Sequence, residues 1–263
     1  MSKDALIETW SDNWRKSGVL PGSVLLVHSS IRRTLKDALL KGIKDISPAD
    51  ILESFIRALG PQGTLLLPLF NFEFTKGIPF DISQTPSQMG VLTEMGRTYP
   101  GAVRTGHPIY SFAVIGARAH EFEKVVNKSG YGEDSPFAML RAMGGTIAVL
   151  DLPDQTSMTF YHHVEEMHQV DYRYFRSFTA PYVGWDGGSA DKTFQLFVRD
   201  LEKGVLTDVN RMGEFLWKLG AYKGDRPGEK SGLRTIKAED LYQATSNVIR
   251  EGRAKDLLYS IKS

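Results

Sequence analysis

The chain of 263 residues contains no cysteine, which excludes a disulfide framework, a thiolate zinc site and a cysteine nucleophile together. It also lacks an excess of either charge: 32 Lys and Arg face 31 Asp and Glu, for a net +1, and there is no basic tract. Nucleic acid and anionic lipid are therefore not expected as main partners. No stretch approaches the roughly 18 apolar residues of a membrane span, and the N-terminus MSKDALIETWSDNWRKSGVL has no signal-peptide core. These absences lead us to expect a cytoplasmic protein without a membrane segment. Composition breaks, linkers and internal repeats are missing too, so we expect one domain over residues 1–263.

What is present is an alternation of helices and short apolar strands. Ala5, Leu6, Trp10 and Trp14 fall at helical spacing over residues 3–16, and SGVLPGS then stops the helix before the buried run Val24–Val27. The order repeats when Ser47-Pro48 opens a helix carrying Ile51, Phe55, Ile56 and Leu59, and GPQG turns into TLLLPLF. Further helices are expected from Thr85 to Pro100-Gly101, from Ala117, from Ser135-Pro136, around Met212–Leu219 and from Ala238. Strands are expected at SFAVIG, GTIAVLDL and LRTI, with an antiparallel pair after Tyr172. The class is α/β: a three-layer sandwich with a mixed, largely parallel sheet covered by helices on both faces.

Four stretches carry polar chemistry. HSSIRR (28–33) follows the first strand, where open sheets bind ligands, and its hydroxyls and guanidiniums suit a phosphate; a capped loop explains it as well. Arg104 and His107 share a loop before a strand, and YGEDSPF is built like a helix start. TFYHHVEEMHQ (159–169) offers two pairs at helical spacing, His162 with Glu165 and His163 with Glu166. Either pair makes a general base with an acid that orients it, and a solvated helix face remains the plain alternative. A zinc site is not expected, because neither His-Glu-x-x-His nor His-x-x-Glu-His occurs.

LLVHSSIRR (25–33), GPQGTLLLPLFNFEF (60–74), the long stretch 80–116, YGEDSPFAML (131–140) and TFYHHVEE (159–166), in this order, resemble the aminoglycoside 3-N-acetyltransferase family. The resemblance implies direct transfer of an acyl group from acetyl-CoA or a short-chain relative to the amine of an amino sugar, without a metal. The family's Thr-x-x-His-x-x-Glu element falls on Thr159, His162 and Glu165, which makes His162 the base and Glu165 its orienter. The doubled His-His and Glu-Glu keep the His163–Glu166 register open. By the same resemblance Ser29, Ser30, Arg33, Ser87, Met89, Arg104, His107 and Ser111 face CoA. Asn71, Glu73, Thr159, His163, Tyr172 and Arg173 face the acceptor.

The balanced charge suits a polycationic antibiotic poorly, so a nucleotide-linked amino sugar for a surface polysaccharide is slightly favoured; the aromatic and basic Asp171–Phe178 would stack its base or sugar and meet its diphosphate, and an amphipathic strand packed on the sheet explains that stretch as well. An aminoglycoside acceptor with antibiotic resistance, or a non-catalytic CoA- or nucleotide-binding protein, are the competing readings. A homo-oligomer is compatible with the sequence but nothing in it points to one.

Overall fold

The structure, a computed structural model, describes residues 1–262. Helix α1 (Lys3–Lys16) starts at Ser2, whose side chain accepts from the Ala5 N–H, and buries Leu6, Trp10 and Trp14. Strand β1 (Val24–Ser29) leads into α2 (Arg32–Leu40), and α3 (Pro48–Leu59) follows behind a Ser47–Asp50 capping box. Next come β2 (Thr64–Pro68), β3 (Phe80–Asp81), α4 (Val91–Arg97), β4 (Val103–Arg104) and β5 (Phe112–Gly116). The middle of the chain forms α5 (Pro136–Ala142), β6 (Thr146–Leu150) and α6 (Phe160–Met167). The hairpin β7 (Arg173–Val183) and β8 (Ser189–Arg199) precedes β9 (Val205–Thr207) and α7 (Asn210–Lys218). Last are β10 (Lys223–Gly224), β11 (Leu233–Lys237), α8 (Ala238–Arg250) and β12 (Tyr259–Ile261).

Two expected helices come out differently. α4 begins at Val91 rather than behind Thr85, because Thr85 Oγ1 is taken by the Asp81 N–H at 2.8 Å and Ser87 Oγ by the Met89 N–H at 3.1 Å. These side-chain bonds hold residues 85–90 as a loop. After Ala117 the chain makes only a single 3-10 turn, Ala119–Phe122. Helix α2, which the sequence pattern did not announce, buries only Thr34 and Ala38.

The central sheet has seven strands in the order β10-β11-β6-β1-β2-β5-β4. β6, β1 and β2 pair in parallel, while β5 and β11 alone run against the common direction. Alternation along β1 splits the core into two layers: Leu25 and Val27 pack with α1 and α3, and Val24 and Leu26 with α5, α6 and α8. Trp14 stacks on Phe55 at 5.0 Å and donates from Nε1 to Ser54 Oγ at 2.8 Å, locking α1 to α3. A separate sheet, β3-β7-β8, carries the long hairpin. No helix among the described residues is long and apolar enough to cross a membrane.

The chain leaves β6 through a buried anchor that fixes α6. Asp154 Oδ2 accepts from the hydroxyls of Tyr161 at 2.8 Å and Tyr222 at 2.6 Å, while Oδ1 takes Arg234 Nη2 at 2.8 Å. One carboxylate thus joins the first turn of α6 to β11 and to the segment after α7. Asp154→Ala leaves the Arg234 guanidinium buried and uncompensated, so we expect a loss of about 3–5 kcal/mol, seen as a lower urea midpoint at unchanged slope.

Candidate active site

Helix α6 places two histidines and two glutamates on one short segment, and the structure separates the two possible pairs. His162 Nδ1 lies 2.8 Å from Glu165 Oε2. His163 Nδ1 instead donates to the Tyr131 carbonyl at 2.7 Å, and Glu166 Oε2 accepts from Ser129 Oγ at 2.6 Å. His168 Nε2 goes to Ser246 Oγ at 2.8 Å. Each of the three histidines therefore has its own partner in a different direction. Among the described residues no group of three His, Asp or Glu side chains is placed to hold a metal ion.

Arg173 completes the first pair. Its Nε lies 2.8 Å from Glu165 Oε2, Nη2 lies 2.9 Å from His162 Nδ1, and Nη1 donates to the Phe197 carbonyl at 3.0 Å. Nδ1 thus has a carboxylate and a guanidinium within hydrogen-bond distance: in the Nδ1–H tautomer it donates to Glu165, and in the other it accepts from Arg173. Among the described residues Nε2 has no hydrogen-bond partner. Burial works against the Glu165 carboxylate, but Arg173, His162 and Tyr172 outweigh it and hold the group below its ordinary value. Burial, then Arg173, lower His162 below 6.5, while Glu165 opposes them. The ring is therefore neutral at neutral pH, and when Nδ1 carries its proton toward Glu165 the lone pair is on Nε2.

His162 lines a cavity of about 270 Å³ walled by Tyr110, Tyr131 and the hairpin residues Arg173, Tyr174, Arg176 and Leu196–Arg199. A second cavity, about 510 Å³, lies at the carboxyl ends of β1 and β6. Ser29, Ser30, Arg32, Met89, Leu92 and Leu152 are among its walls. This is the edge at which open α/β sheets bind ligands.

Several expected contact residues do not reach either cavity. Arg33 clamps Asp151 through Nε at 3.0 Å and the carbonyls of Glu229 and Lys230, and its neighbour Arg32 faces the cavity instead. Gly232 is needed there because a Cβ would collide with both Asp151 and Arg33. Arg104 donates to the carbonyls of Ile82 and Thr85 and to Ser111 Oγ, bracing the 82–87 loop; both side chains serve that brace. Ser87 Oγ is shared with Thr93 Oγ1 at 2.8 Å.

His107 is fully buried; its Nδ1 accepts from the N–H groups of Ile109 and Tyr110, and burial drives it down to about 3, so it is a neutral turn residue. Asn71 ties Pro86 to Glu73, and Glu73 pairs with Lys76 at 2.8 Å. Tyr172 stacks on Tyr259 at 4.0 Å, inside rather than toward a ligand. Thr159 stands at the start of α6 without a side-chain cap bond, and His163 faces a different cavity with Arg141 and Glu239.

Sequence reasoning missed Tyr110, Tyr131 and Arg199, which line the cavity beside His162, whereas Arg176 lies in the aromatic and basic stretch Asp171–Phe178 that it singled out. For Tyr131 the signal was YGEDSPF, the turn that presents it. Asp154 was missed as well, although an acid just after a strand end was visible.

Residues 26–250 match the family model described as aminoglycoside 3-N-acetyltransferase. Aminoglycoside N(3)-acetyltransferase IV from Salmonella sp is 31% identical over 173 residues, 60% of this chain and 61% of that protein, so the aligned part spans less than two thirds of that relative. The crystal structure of aminoglycoside acetyltransferase AAC(3)-Xa superposes with a TM-score of 0.78 at 23% identity, covering 95% of this chain and 93% of the other. The AAC-IIIb binary complex with CoASH gives 0.76 at 21% identity, covering 96% and 97%.

Burial, with Asp134 nearby and Ser129 opposing, pushes Glu166 up to about 7. Its contribution to stability is complete below pH 4.5 and lost as pH rises through about 7. We expect Glu166→Gln to stabilise the fold by ~2 kcal/mol at pH 8 and to change little at pH 4, measured by urea unfolding at both pH values. Equal effects at the two would contradict the raised value.

Proposed function

Since the chain belongs to the aminoglycoside 3-N-acetyltransferase family, we propose that it transfers an acyl group from acetyl-CoA or a short-chain relative to the amine of an amino sugar, with His162 as general base. The observation that carries this is the 2.8 Å contact between His162 Nδ1 and the buried Glu165 in the wall of an open cavity. A sugar ammonium is no nucleophile until it loses a proton. His162 Nε2 accepts that proton, and Glu165 holds the ring in the Nδ1–H tautomer and stabilises the imidazolium.

The donor set around Ser29 and Ser30 fits CoA. The two hydroxyls and the Arg32 guanidinium suit phosphate and carbonyl oxygens, while Met89, Leu92 and Leu152 suit an apolar arm. Acetyl-CoA supplies an activated carbonyl when bound. In this reading Ser29 and Ser30 donate to the oxygen that becomes negative as nitrogen attacks. The hairpin and the two tyrosines wall the cavity beside His162.

For the acceptor, the relatives' names support an aminoglycoside, and one structural neighbour, AAC-VIa, is bound to sisomicin. Nothing in the comparisons supports a nucleotide-linked amino sugar. The reading also implies a cytoplasmic enzyme, where acetyl-CoA is made. Thiol release from acetyl-CoA across panels of aminoglycosides and nucleotide-linked amino sugars tests the assignment; silence with both defeats it.

Two outcomes are expected of His162. His162→Ala lowers turnover by about 10²–10⁴ while calorimetry still detects CoA binding. A binding protein without catalysis has no turnover to lose. In the parent enzyme the acid limb of kcat/KM that reports His162 lies below pH 6.5, and a limb above that value contradicts the assignment.

A further inference from the structure

Two stretches whose polar chemistry the site has not absorbed, HPIYS (107–111) and YGEDSPF (131–137), each bring a tyrosine to the cavity beside His162. His107 Nδ1 takes the N–H of Tyr110 at 3.0 Å, and the Tyr131 carbonyl is fixed by His163 Nδ1 at 2.7 Å. Gly130 leaves room between the two, since a Cβ there would stand 3.0 Å from the Tyr110 ring. The rings of Tyr110 and Tyr131 meet at 4.7 Å, and Tyr131 stands edge-on to the His162 ring at 5.3 Å.

Tyr110 is 8% exposed and Tyr131 4%. A buried phenol ordinarily finds an acceptor in the fold. The other buried tyrosines do: Tyr161 and Tyr222 donate to Asp154 at 2.8 and 2.6 Å, Tyr182 donates to the Gly106 carbonyl at 2.9 Å, and the Tyr172 hydroxyl lies beside Glu165. Among the described residues, Tyr110 and Tyr131 find only each other. Two hydroxyls carry two protons and a bond between them uses one, so one donor is left for the cavity. Burial raises both phenols above their ordinary value, which keeps that donor through the neutral range.

The transfer needs a donor at this place. The nitrogen that gives its proton to His162 Nε2 is the one that attacks the thioester. A hydrogen bond of about 3 Å and an attack distance of about 3 Å put the carbonyl within roughly 6 Å of Nε2. Its oxygen becomes negative there as the N–C bond forms, and the charge passes to sulfur as the C–S bond breaks. Ser29 and Ser30 come from the other cavity, whose walls are different residues. Arg173 shares the wall with His162, but its groups are engaged by Glu165, His162 and the Phe197 carbonyl.

We propose that the Tyr110–Tyr131 hydroxyl pair donates a hydrogen bond to the acyl oxygen as it becomes negative, which makes both tyrosines catalytic residues beside His162. This rests on the transferase reading above and adds to it a donor on the side of the base.

The parent, Y110F, Y131F and Y110F/Y131F are compared by thiol release from acetyl-CoA with the most active amine of the panels above, by calorimetry with CoA and by thermal melting. We expect the double variant to lose roughly 10²–10³ in kcat, while the KM of the amine and the affinity for CoA change by less than about threefold. Phenylalanine keeps each ring against its neighbours, so the melting midpoint stays within about 2 °C of the parent's. The acid limb of kcat/KM stays in place as well, because His162 and Glu165 are untouched. Each single variant keeps one hydroxyl and identifies which of the two carries the loss. A double variant within about threefold of the parent in kcat overturns the proposal. So does a rise in KM alone, a fallen melting midpoint or a displaced acid limb, since the hydroxyls then act on binding or through the fold. In each of these cases the transferase stands. No thiol release by the parent with any amine overturns both.

Discussion

A carboxylate that is 1% exposed has to be compensated, and in this fold the compensation of Glu165 dictates where the β7–β8 hairpin lies. Arg173 is the first residue of β7, and its guanidinium reaches Glu165, His162 and the Phe197 carbonyl together. The hairpin is thereby docked over α6 at its base. Its inner side becomes the wall of a cavity that would otherwise be open to solvent, and the same ion pair contacts the histidine inside it.

The sheet supplies the second half of the geometry. Side chains alternate to either face of β1, so both layers are sealed by apolar contacts and only the strand ends remain for chemistry. Ser29 and Ser30 stand where β1 ends, and Leu152 where β6 ends. The long connection from β2 to α4 returns to the same edge because Arg104, Ser111, Asn71 and Ser87 hold it there. Polar residues that look like ligand contacts in the sequence thus shape the loop that the ligand meets.

The buried histidines divide by their partners. Burial lowers His28, His107 and His163 in the same way, to about 3, about 3 and about 4. His162 alone combines an acidic partner at 2.8 Å with a place in the wall of the cavity under the hairpin. A neutral buried ring bonded to backbone, as at His107 and His163, is a structural device, whereas a neutral ring with an acid behind it and an open cavity in front can exchange a proton.

The layered α/β order was legible because burial on both faces writes continuous apolar runs into strands and a 3.6-residue period into helices such as α1 and α3. His162 with Glu165 was legible to the level of two registers, since three-residue spacing on a helix brings either pair together. Choosing between them required the carbonyl of Tyr131 and the hydroxyl of Ser129, which capture His163 and Glu166 from outside the helix. In the same way Arg33, Arg104 and His107 carry the right chemistry in the sequence, but their direction was decided by Asp151, by the 82–85 carbonyls and by a buried turn. Local pattern determines which residues share an element and a face. Which long-range partner each polar group finds depends on satisfying every buried donor, acceptor and charge at once, and only the packed chain decides that.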